Sequence, residues 1–125
     1  MEQILFKSET YQIVGACMEV YNNLGYGFLE IVYKDAMEIE FLQRDMNYVR
    51  EDAHSIDYKG TTLKHKYFAD YTLYNSIIVE VKVNKDGITT EAIAQTLNYL
   101  KASGIRLALI INFGKTSLEY KRLIF

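Results

Sequence analysis

The sequence predicts an α/β fold, a mixed β-sheet flanked by α-helices. Three observations carry the prediction. Two stretches with apolar residues at helical spacing open the chain, alternating and continuous apolar runs follow, and a helical stretch with a cap signal at each end separates the last of these runs. The chain has 125 residues, 50% of them hydrophobic, which suits a single domain over 1–125 with a substantial core.

The first helix runs from Ser8, a plausible N-cap, through Tyr11, Val14, Met18 and Tyr21 to a stop at Gly25. After the Gly25–Gly27 connection, Ile31 or Val32, Ala36, Ile39 and Phe41 or Leu42 give a second helix to Arg44 or Met46, paired with the first as a hairpin. Residues 48–58 alternate weakly, Lys59-Gly60 supplies a turn, and 61–68 reads as a strand. A short strand over 70–74 turns at Asn75 into the strand 77–83, IIVEVKV. Thr89 or Thr90 caps a helix that ends at Gly104. The continuous apolar run LALIINF, 107–113, is a buried central strand, and LEYKRLIF supplies an edge strand. The strand–helix–strand succession from 77 to 112 requires a right-handed crossover and therefore a parallel pair. About four core strands result.

Composition excludes some function classes. A net charge of -2, with 14 Lys and Arg against 16 Asp and Glu, provides no global field for a polyanion, so nucleic acid would be held locally or with help from a partner. One Cys, Cys17, forms no intramolecular disulfide and lies in a helical pattern as a small buried hydrophobe, which fits a reducing compartment. No secretory signal opens the chain and no apolar run approaches the roughly 20 residues of a membrane span, so the expectation is a cytoplasmic protein without a membrane partner. The eleven Tyr fall mostly at core-facing or amphipathic spacings. His54 and His65 have no metal-ligand spacing. Gly25-x-Gly27 lacks the third Gly and the preceding strand of a dinucleotide site.

The chemistry concentrates in IIVEVKV. Side chains alternate along a strand, so Glu80 and Lys82 project from one face, away from Ile77, Val79, Val81 and Val83. Such alternation also describes a strand with one face in water. Asp70 lies on the partner strand, and it meets Glu80 only if the hairpin loop is the three residues Tyr74, Asn75 and Ser76, because a two-residue loop would put the carboxylates on opposite faces. Asn75 tolerates the left-handed conformation such a loop uses. Two facing carboxylates repel unless a cation sits between them. Mg²⁺ or Mn²⁺ suits the pair: it takes oxygen ligands, the Val81 carbonyl adds one, and a water it acidifies can attack phosphorus while Lys82 orients that water or stabilises phosphoryl charge. On this reading Asp70→Asn should leave the metal-free fold as stable or slightly more stable and abolish most of its response to metal.

Asp70, a spacer and Glu80-Val81-Lys82 resemble the PD-(D/E)XK nuclease signature, with Ala69 at the position of its often absent Pro. Gly27-Phe28-Leu29-Glu30-Ile31-Val32-Tyr33 is similar to GxxExxY, the name-giving motif of a related family of small bacterial and archaeal proteins. The stretches GACMEVYNNLGYGFLE, YFADYTLYNSIIVEVK, AQTLNYLKASG and LALIINFGKTSLEYKRL extend the resemblance over nearly the whole chain. Tyr26 departs from it, since relatives commonly carry Pro there. The resemblance implies a restriction-endonuclease-like fold and a metal-dependent nuclease acting on DNA or RNA; the alternative is a nuclease-fold binding or assembly module without turnover. It also implies that Glu30 approaches the metal through water and that Gln95 supports Lys82. Lys64, Lys66 and Lys85 are candidates for phosphate contact, and the modest charge points to a homodimer or a nucleic-acid-binding protein partner.

Overall fold

The computed structural model describes residues 4–125. In chain order these form α1 (Lys7–Leu24), α2 (Glu30–Gln43), β1 (Tyr48–Tyr58), β2 (Thr61–Leu73), β3 (Ile77–Lys82), α3 (Thr90–Ser103), β4 (Leu107–Asn112) and β5 (Glu119–Ile124). The sheet order is β1-β2-β3-β4-β5. β3 and β4 are parallel, the other neighbours antiparallel. This is a mixed α/β sheet flanked by helices, consistent with a restriction-endonuclease-like fold.

β3 and β4 are central because both of their faces are apolar. Ile77, Val79 and Val81 meet Leu107, Leu109 and Ile111 beneath α1 and α2. Ile78 meets Ala108 and Ile110 beneath α3. The alternation of β3 is therefore not that of a strand with one wet face: Glu80 is only 6% exposed. Thr89 caps α3 by accepting from the Ala92 N–H, and Gly104 ends the helix in the left-handed conformation.

The helical stripes fall elsewhere than the spacing predicts. In α1 the sheet side is Ile13, Ala16, Cys17 and Val20, while Tyr11 and Met18 are exposed. In α2 it is Tyr33, Lys34, Met37 and Phe41, while Ile31, Ile39 and Leu42 are exposed. Each helix carries apolar residues on two neighbouring stripes. In α1 the stripe with Ala16 and Cys17 is the one buried in the core shared with α2 and the sheet. Burial pushes the Cys17 thiol up to about 12, so it is an inert core group. α1 starts at Lys7 with Phe6 at its N-cap position and no side-chain cap, so Ser8 is already helical. Of the tyrosines, Tyr33, Tyr67 and Tyr71 are buried, whereas Tyr11, Tyr26, Tyr58 and Tyr120 are exposed.

β2 is one strand of 13 residues, not two short ones, so the described sheet has five strands where the six segments read separately would give six. The apparent break has a physical cause. Tyr71 packs under α1 and α2 while Ala69, two residues earlier, packs under α3, so the strand changes faces at Asp70. Across from that point β1 holds Glu51 at φ 53, between the pairs Arg50–Tyr71 and Asp52–Ala69.

Candidate active site

The hairpin between β2 and β3 has the three-residue loop that the meeting of Asp70 and Glu80 requires. Leu73 pairs with Ile77 and Tyr71 with Val79, and both Tyr74 and Asn75 are left-handed. The same register carried one step further sets Asp70 opposite Glu80. Regular pairing ends at Tyr71, and beyond it the Asp70 carboxylate replaces the ladder: its Oδ2 accepts the Val81 N–H at 2.7 Å. In an extended strand a residue's N–H and C=O point to the same side, so the Val81 carbonyl also faces the Asp70 edge.

Glu80 is buried and its Oε1 has no hydrogen-bond partner among the described residues. Burial, then the Asp70 charge, then a hydrogen bond it can donate to Asp70 only when protonated, push the Glu80 carboxyl up to about 9; Lys82 opposes this. Tyr67 and Tyr99 lie beside this group, stacked on each other at 4.0 Å, and both phenols are raised by their own burial and by the Glu80 charge.

Glu30 opens α2, where a carboxylate is favoured by the helix dipole. The loop before it is tied by Tyr33, whose hydroxyl donates to the Gly25 carbonyl at 2.6 Å and accepts the Phe28 N–H at 3.3 Å, and whose ring stacks on Phe113 at 4.4 Å. Gly27, at φ 109, holds a conformation that side chains rarely adopt. The stretch from Gly27 to Tyr33 is thus a brace that presents Glu30. Partial burial and the Asp70 charge raise the Glu30 carboxyl, while Lys82 and Lys34 pull it down, which puts all four groups in one electrostatic neighbourhood.

Lys82 ends β3. Its carbonyl accepts the Phe113 N–H at 2.9 Å, and the chain beyond it is clamped by buried Asn112, which exchanges hydrogen bonds with the Asn84 backbone at 2.8 and 2.9 Å. Gly114 permits that close passage, since a Cβ there would stand 2.5 Å from the Asn84 nitrogen. Gln95 is exposed on α3, one turn before Tyr99. The structure thus brings Glu30, Asp70, Glu80 and Lys82 together and sets Gln95 at the margin through Tyr99.

Lys85 lines a cleft with Tyr26, Phe28 and Lys115 at the end of β3. Lys66 is exposed opposite Ser55, and Lys64 falls where the β1–β2 register shifts, both on the outer part of the hairpin.

Two residues of this neighbourhood have no counterpart among the sequence candidates. Lys34, one turn after Glu30, is buried and donates to Asp70 Oδ1 at 3.0 Å and to Glu51. Burial pulls its ammonium down, but the hydrogen bonds and charges of Glu51 and Asp70 outweigh that and hold it above the ordinary lysine value. The signal was present: Glu30, Lys34, Met37 and Phe41 recur at three to four residues. These contacts also revise the expectation for Asp70→Asn. Both Asp70 oxygens accept from donors, so an amide would turn its NH₂ on Lys34 or on the Val81 N–H, and the metal-free fold should lose stability.

Among the described residues no three His, Cys, Asp or Glu side chains gather into a metal-sized cluster. The donor chemistry nevertheless fits a hard cation that keeps several waters. Such an ion needs one or two carboxylates, and here Asp70 stands beside a buried Glu80 with a partnerless oxygen.

The chain belongs to the PD-(D/E)XK nuclease superfamily, whose family model matches residues 7–123. Among solved structures it is similar to the crystal structure of SSO0001, at 16% sequence identity and a TM-score of 0.59, a likeness of fold. That match covers 95% of this chain and 59% of the other, so the chain spans little more than half of the protein it resembles. No curated protein matches it. Members of this nuclease superfamily typically use divalent metal ions. No helix among the described residues is long and apolar enough to cross a membrane.

Proposed function

We propose that the protein is a Mg²⁺- or Mn²⁺-dependent nuclease that hydrolyses phosphodiester bonds, with Asp70, Glu80 and the Val81 carbonyl as metal ligands. The observation that carries the reading is the buried Glu80 carboxylate, left with a partnerless oxygen against Asp70, an arrangement that costs stability until a cation joins it. A divalent ion supplies charge neutralisation, a more acidic water and withdrawal of electron density from the phosphoryl group.

The chain's own residues do the rest. Asp70 is held by Lys34 and the Val81 N–H, so its carboxylate is oriented before substrate arrives. Lys82 presents an ammonium beside the carboxylates, where it donates to a phosphoryl oxygen or fixes the attacking water. Glu30 accepts hydrogen bonds from waters at the helix start, and Gln95 with Tyr99 borders the opposite side. Lys85 lies in the cleft beside the Glu30 loop and supplies a phosphate contact, with Lys64 and Lys66 further out. The exposed apolar stripes of α1 and α2 support a homodimer or a nucleic-acid-binding protein partner, and the single buried cysteine suits the cytoplasm.

The test is incubation of the purified chain with single- and double-stranded DNA and RNA, with Mn²⁺, with Mg²⁺ and with EDTA. The expected result is cleavage of at least one substrate with metal and none with EDTA. Metal-dependent binding without cleavage of any substrate would favour the assembly module instead.

A further inference from the structure

We propose that Lys34 is a positioning residue of the metal site: its ammonium pins Asp70 and stands in for part of the divalent ion's charge while the ion is away. The proposal rests on the reading of Asp70 and Glu80 as ligands and adds to it a residue outside the nuclease signature.

Geometry makes the case. Lys34 comes from the buried side of α2, where an aliphatic residue would serve packing as well, and its ammonium ends between two carboxylates of the neighbouring strands. A buried ion pair is weak evidence for a purely stabilising role, because apolar residues of similar volume often do as well. The pairing is instead built with effort. Glu51 holds a left-handed backbone in mid-strand, unusual for a residue with a side chain, at the position opposite Asp70. Tyr71 bolts the same turn of α2 to β2 by donating to the Lys34 carbonyl at 2.5 Å, and its ring meets Phe41 edge-on at 5.0 Å. The backbone of Lys34 is therefore fixed over β2, within side-chain reach of Asp70.

Charge completes the argument. Glu30, Glu51, Asp70 and Glu80, when all ionised, face Lys34 and Lys82, which leaves the charge of one divalent cation uncompensated. Removing Lys34 makes the metal-free cluster more negative, so an ion arriving there relieves more repulsion than in the wild type, and this gain outweighs the looser hold on Asp70.

The experiment compares full-length wild type, Lys34→Met, Lys34→Arg and Glu51→Gln by thermal unfolding in EDTA and in saturating Mn²⁺, with Mn²⁺ affinity from calorimetric titration. Lys34→Met is expected to melt lower in EDTA, to show a larger rise on adding Mn²⁺, and to bind Mn²⁺ at least about threefold more tightly. Lys34→Arg restores the charge and brings affinity back toward wild type. Glu51→Gln, which removes a half-exposed carboxylate, weakens Mn²⁺ binding and decides the question if Lys34→Met does not fold. Equal losses of melting temperature in EDTA and Mn²⁺ with unchanged affinity in Lys34→Met, or unchanged affinity in Glu51→Gln, would overturn the role of Lys34 while wild-type binding leaves the ligand assignment standing. Absence of Mn²⁺ binding by wild type would overturn both.

Discussion

Glu80→Gln is expected to stabilise the metal-free protein at neutral and alkaline pH and to flatten its dependence on pH. The sign follows from the direction of the shift. The folded Glu80 carboxyl, at about 9, lies above its ordinary value of 4.5, so folding takes up a proton; stability is complete at low pH and is lost as pH rises from about 4.5 toward 9. At pH 8 most of that loss has occurred. A shift of one unit corresponds to about 1.4 kcal/mol, so the cost in the metal-free fold is on the order of a few kcal/mol. A glutamine keeps the shape, donates an N–H to Asp70 where protonated Glu80 would, and does not ionise. Its melting temperature in EDTA at pH 8 should exceed wild type by roughly 10 °C, since each kcal/mol moves a domain of this size by about 3 to 6 °C. At pH 5 the two proteins should melt nearly together. Thermal scans in EDTA across that range provide the check, and a wild type whose stability climbs toward pH 9 would contradict the burial of an unpaired carboxylate.

Lys82→Met is expected to have the largest effect on turnover with the smallest effect on metal. Lys82 stands next to both Glu30 and Glu80, and its charge opposes the rise of each, yet no carboxylate forms an ion pair with it among the described residues, unlike Lys34. Its ammonium is thus available for substrate charge. Removing one group that stabilises charge in the transition state typically costs 10²- to 10³-fold in rate, and Met keeps much of the stem volume. Cleavage measured at saturating Mn²⁺ should fall by about that factor, while the Mn²⁺-induced rise in melting temperature persists. A variant that cuts at the wild-type rate would remove Lys82 from the chemistry.

Which elements were legible depended on whether one local rule decided them. β4 was readable as a central strand because a continuous apolar run admits one placement, whereas the alternation of β3 marked a strand without deciding whether one face is wet. α3 was readable because Thr89 and Gly104 mark its ends by backbone chemistry independent of packing. Parity stated which turn Asp70 needs in order to meet Glu80, and the Leu73–Ile77 pairing supplies it. α1 and α2 were found as helices, but each carries apolar residues on two neighbouring stripes, and only the shape of the sheet beneath selects Cys17 over Met18, or Met37 over Ile39. The same ambiguity concealed Lys34, which lies on the stripe not chosen. Glu51 escaped for another reason: its left-handed backbone is imposed where β2 changes faces, and no residue type announces that. The site was legible where its residues share a motif, and hidden where they meet only through tertiary packing.

The claim that Asp70 and Glu80 together hold a divalent ion is tested most directly by counting protons released when Mn²⁺ binds. Metal ligands must be deprotonated, and a carboxyl raised to about 9 is protonated at pH 7.5, so binding has to expel its proton. Calorimetric titration at pH 7.5 in buffers of differing ionisation enthalpy measures that number. The account predicts saturable binding with close to one proton released per ion in wild type, and weak binding with no release in Glu80→Gln. Saturable binding without proton release in wild type, or unchanged affinity in Glu80→Gln, would contradict it.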